Sequence, residues 1–308
     1  LINVRVTLDS LVDRAMLGAR ALGFVFLIYF VPVLLRDVLG VVLPGDGIFA
    51  LFSPEPSPLG IGLAISAGTT LLSLVFVWIH SRLGHGAREP RTLIRADRAF
   101  GRDWIVGFAL GALSCGVVFG GLVATGMIRV SGISTSFHVG GALAAGAILL
   151  LESLREELGF RGPAQRDLGR AIGFPLSAVF LAGSFALVHR ANPAFTPLGL
   201  LGVFLAGLLL AGIVRRRGDL ALASGWHGGW NVFVGLVWSI PLSGYRLGGA
   251  ILETTSDGDS TWTGGRFGIE GSWPGIALFV VLGFLSWRRS GASDSSARAV
   301  TSTDPADA

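Results

Sequence analysis

Two adjacent carboxylates, two imidazoles and a carboxamide stand out in a chain otherwise dominated by apolar residues: Glu156, Glu157, His189, His227 and Asn231, with Arg161 beside the acids. Such groups can hydrolyse an amide, because a carboxylate or imidazole can take a proton from water while N–H donors hold the oxyanion that forms. Their spacing sorts them onto helix faces. Glu157 and Arg161 are four apart in the favourable acid-before-base order, so they can pair and leave Glu156 pointing elsewhere. His227 and Asn231 repeat that interval, as do Phe185 and His189, which projects both members of each pair from one side of a helix.

The elements that must position these groups are read from composition. The 308 residues are 51% hydrophobic and only 14% charged, whereas a soluble domain carries about 25% charged residues. Apolar runs of roughly 18 to 25 residues read as bilayer-spanning helices, so the expected fold class is all-α, a polytopic transmembrane bundle of about eight helices. The candidate spans are 16–35, 60–80, 103–127, 139–160, 173–190, 198–214, 220–242 and 273–287. The first has no small-residue cleavage site and is expected to be retained rather than removed as a signal peptide. Ionisable side chains in hydrocarbon cost at least ~2.5 to 3.5 kcal/mol each, so they persist there mainly when paired or functional. Here they gather in the C-terminal half, in the fourth, fifth and seventh spans.

Depth follows from counting. Glu156 and His189 are equidistant from the break at Ile172, Gly173, Phe174 and Pro175. An antiparallel hairpin about that break puts each about 16 residues, or roughly 25 Å, from it. The pair then shares one level, while the segment 161–170 projects toward the cytoplasm; Pro163 is the residue that could kink this extension. His227 lies about 10 residues beyond Arg215, Arg216 and Arg217, roughly 15 Å along a helix, and can meet the pair.

All 24 basic residues are Arg, and they fall on loops flanking the spans. That placement explains the net charge of +4 without a nucleic-acid-binding surface. The loop from His80 to Asp103 and the turn after the sixth span are Arg-rich and read as cytoplasmic, which puts both termini inside. The single Cys115 excludes an intrachain disulfide and a multi-cysteine metal site. Gly107, Gly111, Gly116, Gly120 and Gly121 in the third span read as close helix packing. Trp226 and Trp230 read as packing or as the wall of a substrate groove. Glu152 reads as a structural partner, and His80, His85 and His138 read as solvated residues at span ends or in loops.

The motifs Glu-Glu-x-x-x-Arg (Glu156, Glu157, Arg161), Phe-x-x-x-His (Phe185, His189) and His-x-x-x-Asn (His227, Asn231) resemble, in order, those of the CAAX protease and bacteriocin-processing (CPBP, Abi) family of intramembrane peptidases. The resemblance covers about Gly140 to Val234. It implies that Glu156 and His189 activate water, that His227 and Asn231 stabilise the oxyanion, and that Glu157 and Arg161 support the site. Family members have been described as metalloproteases and as metal-independent glutamate proteases. The absence of a His-Glu-x-x-His signature favours the second, with no cofactor required, although Glu156, His189 and His227 could supply a His2Glu zinc set.

The resulting organisation has N-terminal transmembrane helices over 1–138 and a CPBP-like catalytic core over 139–242. An outer loop and last helix follow over 243–289, then a disordered cytoplasmic tail over 290–308. The expected protein is a multi-pass enzyme of the plasma membrane, in contact with lipid, whose partner is a peptide or membrane-associated protein substrate. Two readings compete with it: a catalytically silent membrane scaffold or immunity protein of the same fold, and a transporter in which Glu156 and His189 relay protons.

Overall fold

The computed structural model describes residues 11–27, 59–83, 94, 97–247 and 249–288. Within them the chain is an all-α bundle. Helix α1 covers 11–27, α2 Leu59–Leu83 and α3 Arg98–Ala124. After a short strand β1, Ile128–Ile133, come α4 Val139–Arg161, α5 Pro163–Ile172, α6 Phe174–Val188, α7 Pro197–Arg217 and α8 Ala221–Asn231. Strand β2, Leu252–Ser256, the single turn α9, Ser260–Thr263, and α10, Trp273–Trp287, complete it. The second half of the expected first span and the tail over 290–308 lie outside the described residues.

Helix starts are written in the sequence. Asp97, His138, Thr196 and Ser272 each accept a backbone N–H of the first turn, satisfying a donor that has no partner inside the helix. Pro in the first turn of α7 and of α10 costs nothing there. At its other end α7 finishes on Arg215, Arg216 and Arg217, against the negative end of the helix dipole, with Gly218 in the left-handed conformation.

Among the described residues, Arg98–Ala124, Phe174–Ala191 and Pro197–Arg217 are long and apolar enough to cross a membrane, and Ser66–His80 and Trp273–Trp287 are shorter apolar helices. Helix α4 falls short of that standard because Glu152, Arg155, Glu156, Glu157 and Arg161 interrupt its apolar run. Helix α8 ends its α-helical turns at Asn231 and continues as a π-helical stretch, Val232–Val237, instead of one uniform span to 242.

The kink that Pro163 could introduce into the 161–170 extension is present. The chain breaks at Gly162, since Pro163 cannot donate its backbone nitrogen and its ring crowds the preceding turn. A Cβ at Gly162 would lie 2.3 Å from the Leu158 carbonyl oxygen. Because α5 restarts at once, the hairpin register survives: Phe160 meets Phe185 edge to face at 5.1 Å, and Gln165 donates to Ser177. Phe160 and Phe185 share with Glu156 and His189 a midpoint between Ile172 and Gly173.

Helix α8 is the buried centre of the bundle; every residue from Ala221 to Trp230 except Leu222 is buried. It crosses α3 at backbone contact. A Cβ at Gly111 would stand 2.0 Å from the Trp226 oxygen, and one at Gly229 would stand 2.1 Å from the Phe108 oxygen. Of the five α3 glycines read as packing residues, Gly107 and Gly111 serve that crossing and Gly116 faces Trp238, whereas Gly120 and Gly121 have nothing within 4 Å.

The connection 243–273, expected as an outer loop, carries secondary structure among its described residues. Strand β2 pairs antiparallel with β1 across a bulge, and the ribbon is tied to the end of α8 by Ile251 N–H to Leu236 O and by Thr254 Oγ1 to Trp238 O.

Candidate functional site

The site starts from the sealed carboxylate Glu157, which is fully buried near the end of α4. Its Oε1 accepts from Arg161 at 3.0 Å and from Nδ1 of His227 at 2.9 Å. Arg161 is itself buried, and its guanidinium carbon lies 4.4 Å from the centre of the Phe185 ring. Among the described residues, Glu157 Oε2 and Arg161 Nη2 have no hydrogen-bond partner. A buried ion pair is costly to desolvate, and this one is offset by the histidine bond and the ring contact.

With Nδ1–H donated to Glu157, the other nitrogen of His227 is directed away from the helix that holds the acid. His227 Nε2 lies 3.6 Å from Glu156 Oε2. The two neighbouring acids therefore divide: Glu157 orients the imidazole, while the Glu156 side chain keeps 17% of its surface and faces the open side. Hydrogen bonding at one ring nitrogen fixes which nitrogen is presented to chemistry.

His189 ends α6 and opens the 3-10 turn His189–Ala191. Its Nδ1 is 2.7 Å from the Phe185 carbonyl oxygen, to which it donates, so the lone pair of the neutral ring sits on Nε2. Phe185 is the common wall. Its ring centre lies 4.6 Å from that of His189 and 6.2 Å from that of His227. Asn231 uses one amide N–H to reach Ser153 Oγ at 2.9 Å; Ser153 stands one turn before Glu157 on α4. The second amide N–H of Asn231 is left to serve as a donor.

The structure thus joins Glu156, Glu157, Arg161 and His227 directly. It sets His189 against the same phenylalanine and holds Asn231 one turn along α8. Among the described residues, no three His, Cys, Asp or Glu side chains converge closely enough to hold a metal ion. Glu156, His189 and His227 are accordingly not preformed as a zinc ligand set.

Other residues noted in the sequence fall outside this cluster. Glu152 pairs with Arg155 at 2.6 Å. His138 caps α4, and His85 lies outside the described residues. His80, expected to be solvated, instead sits 2.9 Å from the buried Asp167 of α5, with Arg20 of α1 at 3.5 Å from the same oxygen. Burial of Asp167 beside Arg20 and the His80 ring is the physical reason. Trp226 and Trp230 stack at 5.3 Å and are buried, so they act as packing.

One acid escaped the sequence reading. Glu270, placed there in an outer loop, is buried beside α8 and accepts from Trp230 Nε1 at 3.2 Å and from Ser243 N and Oγ at 2.8 and 2.7 Å. Nothing local signals this, because the burial comes from a connection folding back onto the bundle.

Residues 138–233 match the family model described as type II CAAX prenyl endopeptidase Rce1-like. The matched segment contains all six site residues predicted from the motifs and ends before Glu270. No curated protein and no solved structure matches the chain.

Proposed function

We propose that this chain is an intramembrane endopeptidase of the CAAX-protease type that works without a metal. Glu156 and His189 take a proton from water as its oxygen attacks the scissile carbonyl carbon. His227 Nε2, as an imidazolium donor, and the second N–H of Asn231 then hold the oxyanion. Collapse of the tetrahedral intermediate breaks the C–N bond, and the abstracted proton passes to the leaving amine. The substrate is a peptide or membrane-associated protein entering from the lipid, and no nucleic acid is involved. The enzyme sits in the plasma membrane with both termini and the Arg-rich connections in the cytoplasm.

The single observation supporting this reading is the division of labour between neighbouring acids. Glu157, sealed and balanced by Arg161, fixes the His227 ring, and that ring in turn presents Nε2 toward the accessible Glu156. A silent scaffold has no need of an oriented imidazole beside a partly exposed carboxylate.

The test compares the protein termini of cells carrying wild-type chain, Glu156→Ala and His189→Ala by mass spectrometry. At least one membrane-associated protein is expected to remain uncleaved in both variants, with cleavage by the purified wild type persisting in chelator. Identical termini in all three strains, with full biological function in both variants, sink the proposal.

A further inference from the structure

Glu270 is an acid in an apolar bundle that the hydrolytic chemistry does not use. Leaving a buried carboxylate unpaired costs several kcal/mol, so one that persists in such a place has partners it serves. Its two oxygens reach in different directions. Oε1 accepts from Trp230, three residues beyond His227 on α8. Oε2 accepts from both the backbone and the hydroxyl of Ser243. Ser243 carries the network onward: its carbonyl accepts from Asn192 Nδ2 at 3.0 Å, and Asn192 N–H donates to His189 O at 3.1 Å.

The backbone around this carboxylate is held tightly. Ser243 has φ 46°, a left-handed conformation that a non-glycine residue adopts only at a cost of about 1 to 3 kcal/mol and keeps when its surroundings enforce it. Two hydrogen bonds to one oxygen of Glu270 provide that enforcement. Behind it, a Cβ at Gly202 of α7 would stand 1.8 Å from the Glu270 carbonyl oxygen, and one at Gly244 would stand 1.8 Å from that of Pro193. Neither the acid nor the His189 turn has room to drift.

We infer that Glu270 is a positioning residue that ties the His189 turn to the His227 helix and so fixes the distance between the two imidazoles. Burial pushes the Glu270 carboxyl above its ordinary range, while the bonds from Ser243 and Trp230 draw it back. Trp230 leads to the helix that carries His227, and Ser243, through Asn192, to the turn that opens at His189, so the two arms can be cut separately.

The inference deepens the peptidase reading and its kinetic consequence rests on that reading, but its spectroscopic consequence does not. Full-length chain labelled with nitrogen-15 at histidine, in detergent micelles, reports the protonation and hydrogen bonding of each ring nitrogen, with signals assigned by single His→Gln variants. Trp230→Phe is expected to shift the His227 nitrogens and leave His189 alone. Asn192→Ala, which removes the amide that donates to the Ser243 carbonyl, is expected to do the reverse. Glu270→Ala is expected to shift both, and Glu270→Gln, which keeps one acceptor oxygen, to restore part of the wild-type pattern. On a substrate found by the termini comparison, Glu270→Ala should lower kcat about 10- to 100-fold with little change in KM, the expected cost of misplaced reacting groups.

Unchanged nitrogens at both histidines in Trp230→Phe and Asn192→Ala overturn the inference, even if Glu270→Ala fails to fold. Shifts at both histidines from either single-arm variant overturn it too, since they indicate general loosening. A wild type that cleaves nothing defeats the peptidase reading alone, and the nitrogen signals still decide the role of Glu270.

Discussion

Glu157 and His227, 70 residues apart in the chain, meet with Oε1 and Nδ1 at 2.9 Å inside the bundle, and Arg161 donates to the same oxygen. These contacts make one carboxylate an anchor, while its neighbour Glu156 stays partly exposed beside the other ring nitrogen.

Glu157→Ala removes the partner of a guanidinium that is only 2% exposed. Breaking a buried pair in this way costs about 3 to 5 kcal/mol, because a charge is left without compensation. Thermal unfolding in detergent should show a large loss of stability, whereas Glu156→Ala, at an accessible carboxylate, should unfold close to wild type.

Asn231→Ala removes the oxyanion donor while leaving Glu156, His189 and His227 in place. Loss of one such donor lowers kcat by about 100- to 1,000-fold. The measurement is the cleavage rate at saturating substrate, with circular dichroism confirming that helix content is retained.

Gly111→Ala places a methyl group against the Trp226 carbonyl and forces α3 away from the helix that carries His227. Overpacking of this kind costs about 1 to 3 kcal/mol. Gly120→Ala, on the same helix with nothing within 4 Å, is the control. A lower melting temperature and reduced cleavage are expected for the first and wild-type behaviour for the second.

Orientation can be read by labelling on a Cys115→Ala background. Arg216→Cys and Ser256→Cys are both at exposed positions, at the end of α7 and on the β2 ribbon. If the Arg cluster is cytoplasmic, a membrane-impermeant maleimide should modify Ser256→Cys in intact cells and Arg216→Cys only after lysis.

The amino-acid sequence alone determined the helical class, from long apolar runs with few charges. It also determined which residues share a helix face, because intervals of four fix that before any folding occurs. A hairpin about Gly173 followed too, and it sets Phe160 against Phe185, equidistant from its midpoint. Even the break at Gly162 left that count intact, because α5 resumes without a loop. The interval of four already paired Glu157 with Arg161, but tertiary structure alone decided that this pair would be sealed, since burial comes from the neighbours that α6 and α8 bring. It likewise decided that a glutamate in a connecting segment would enter the core. Contacts across dozens of residues, such as Trp230 with Glu270, have no local periodicity to announce them; they exist only once helices and connections have packed.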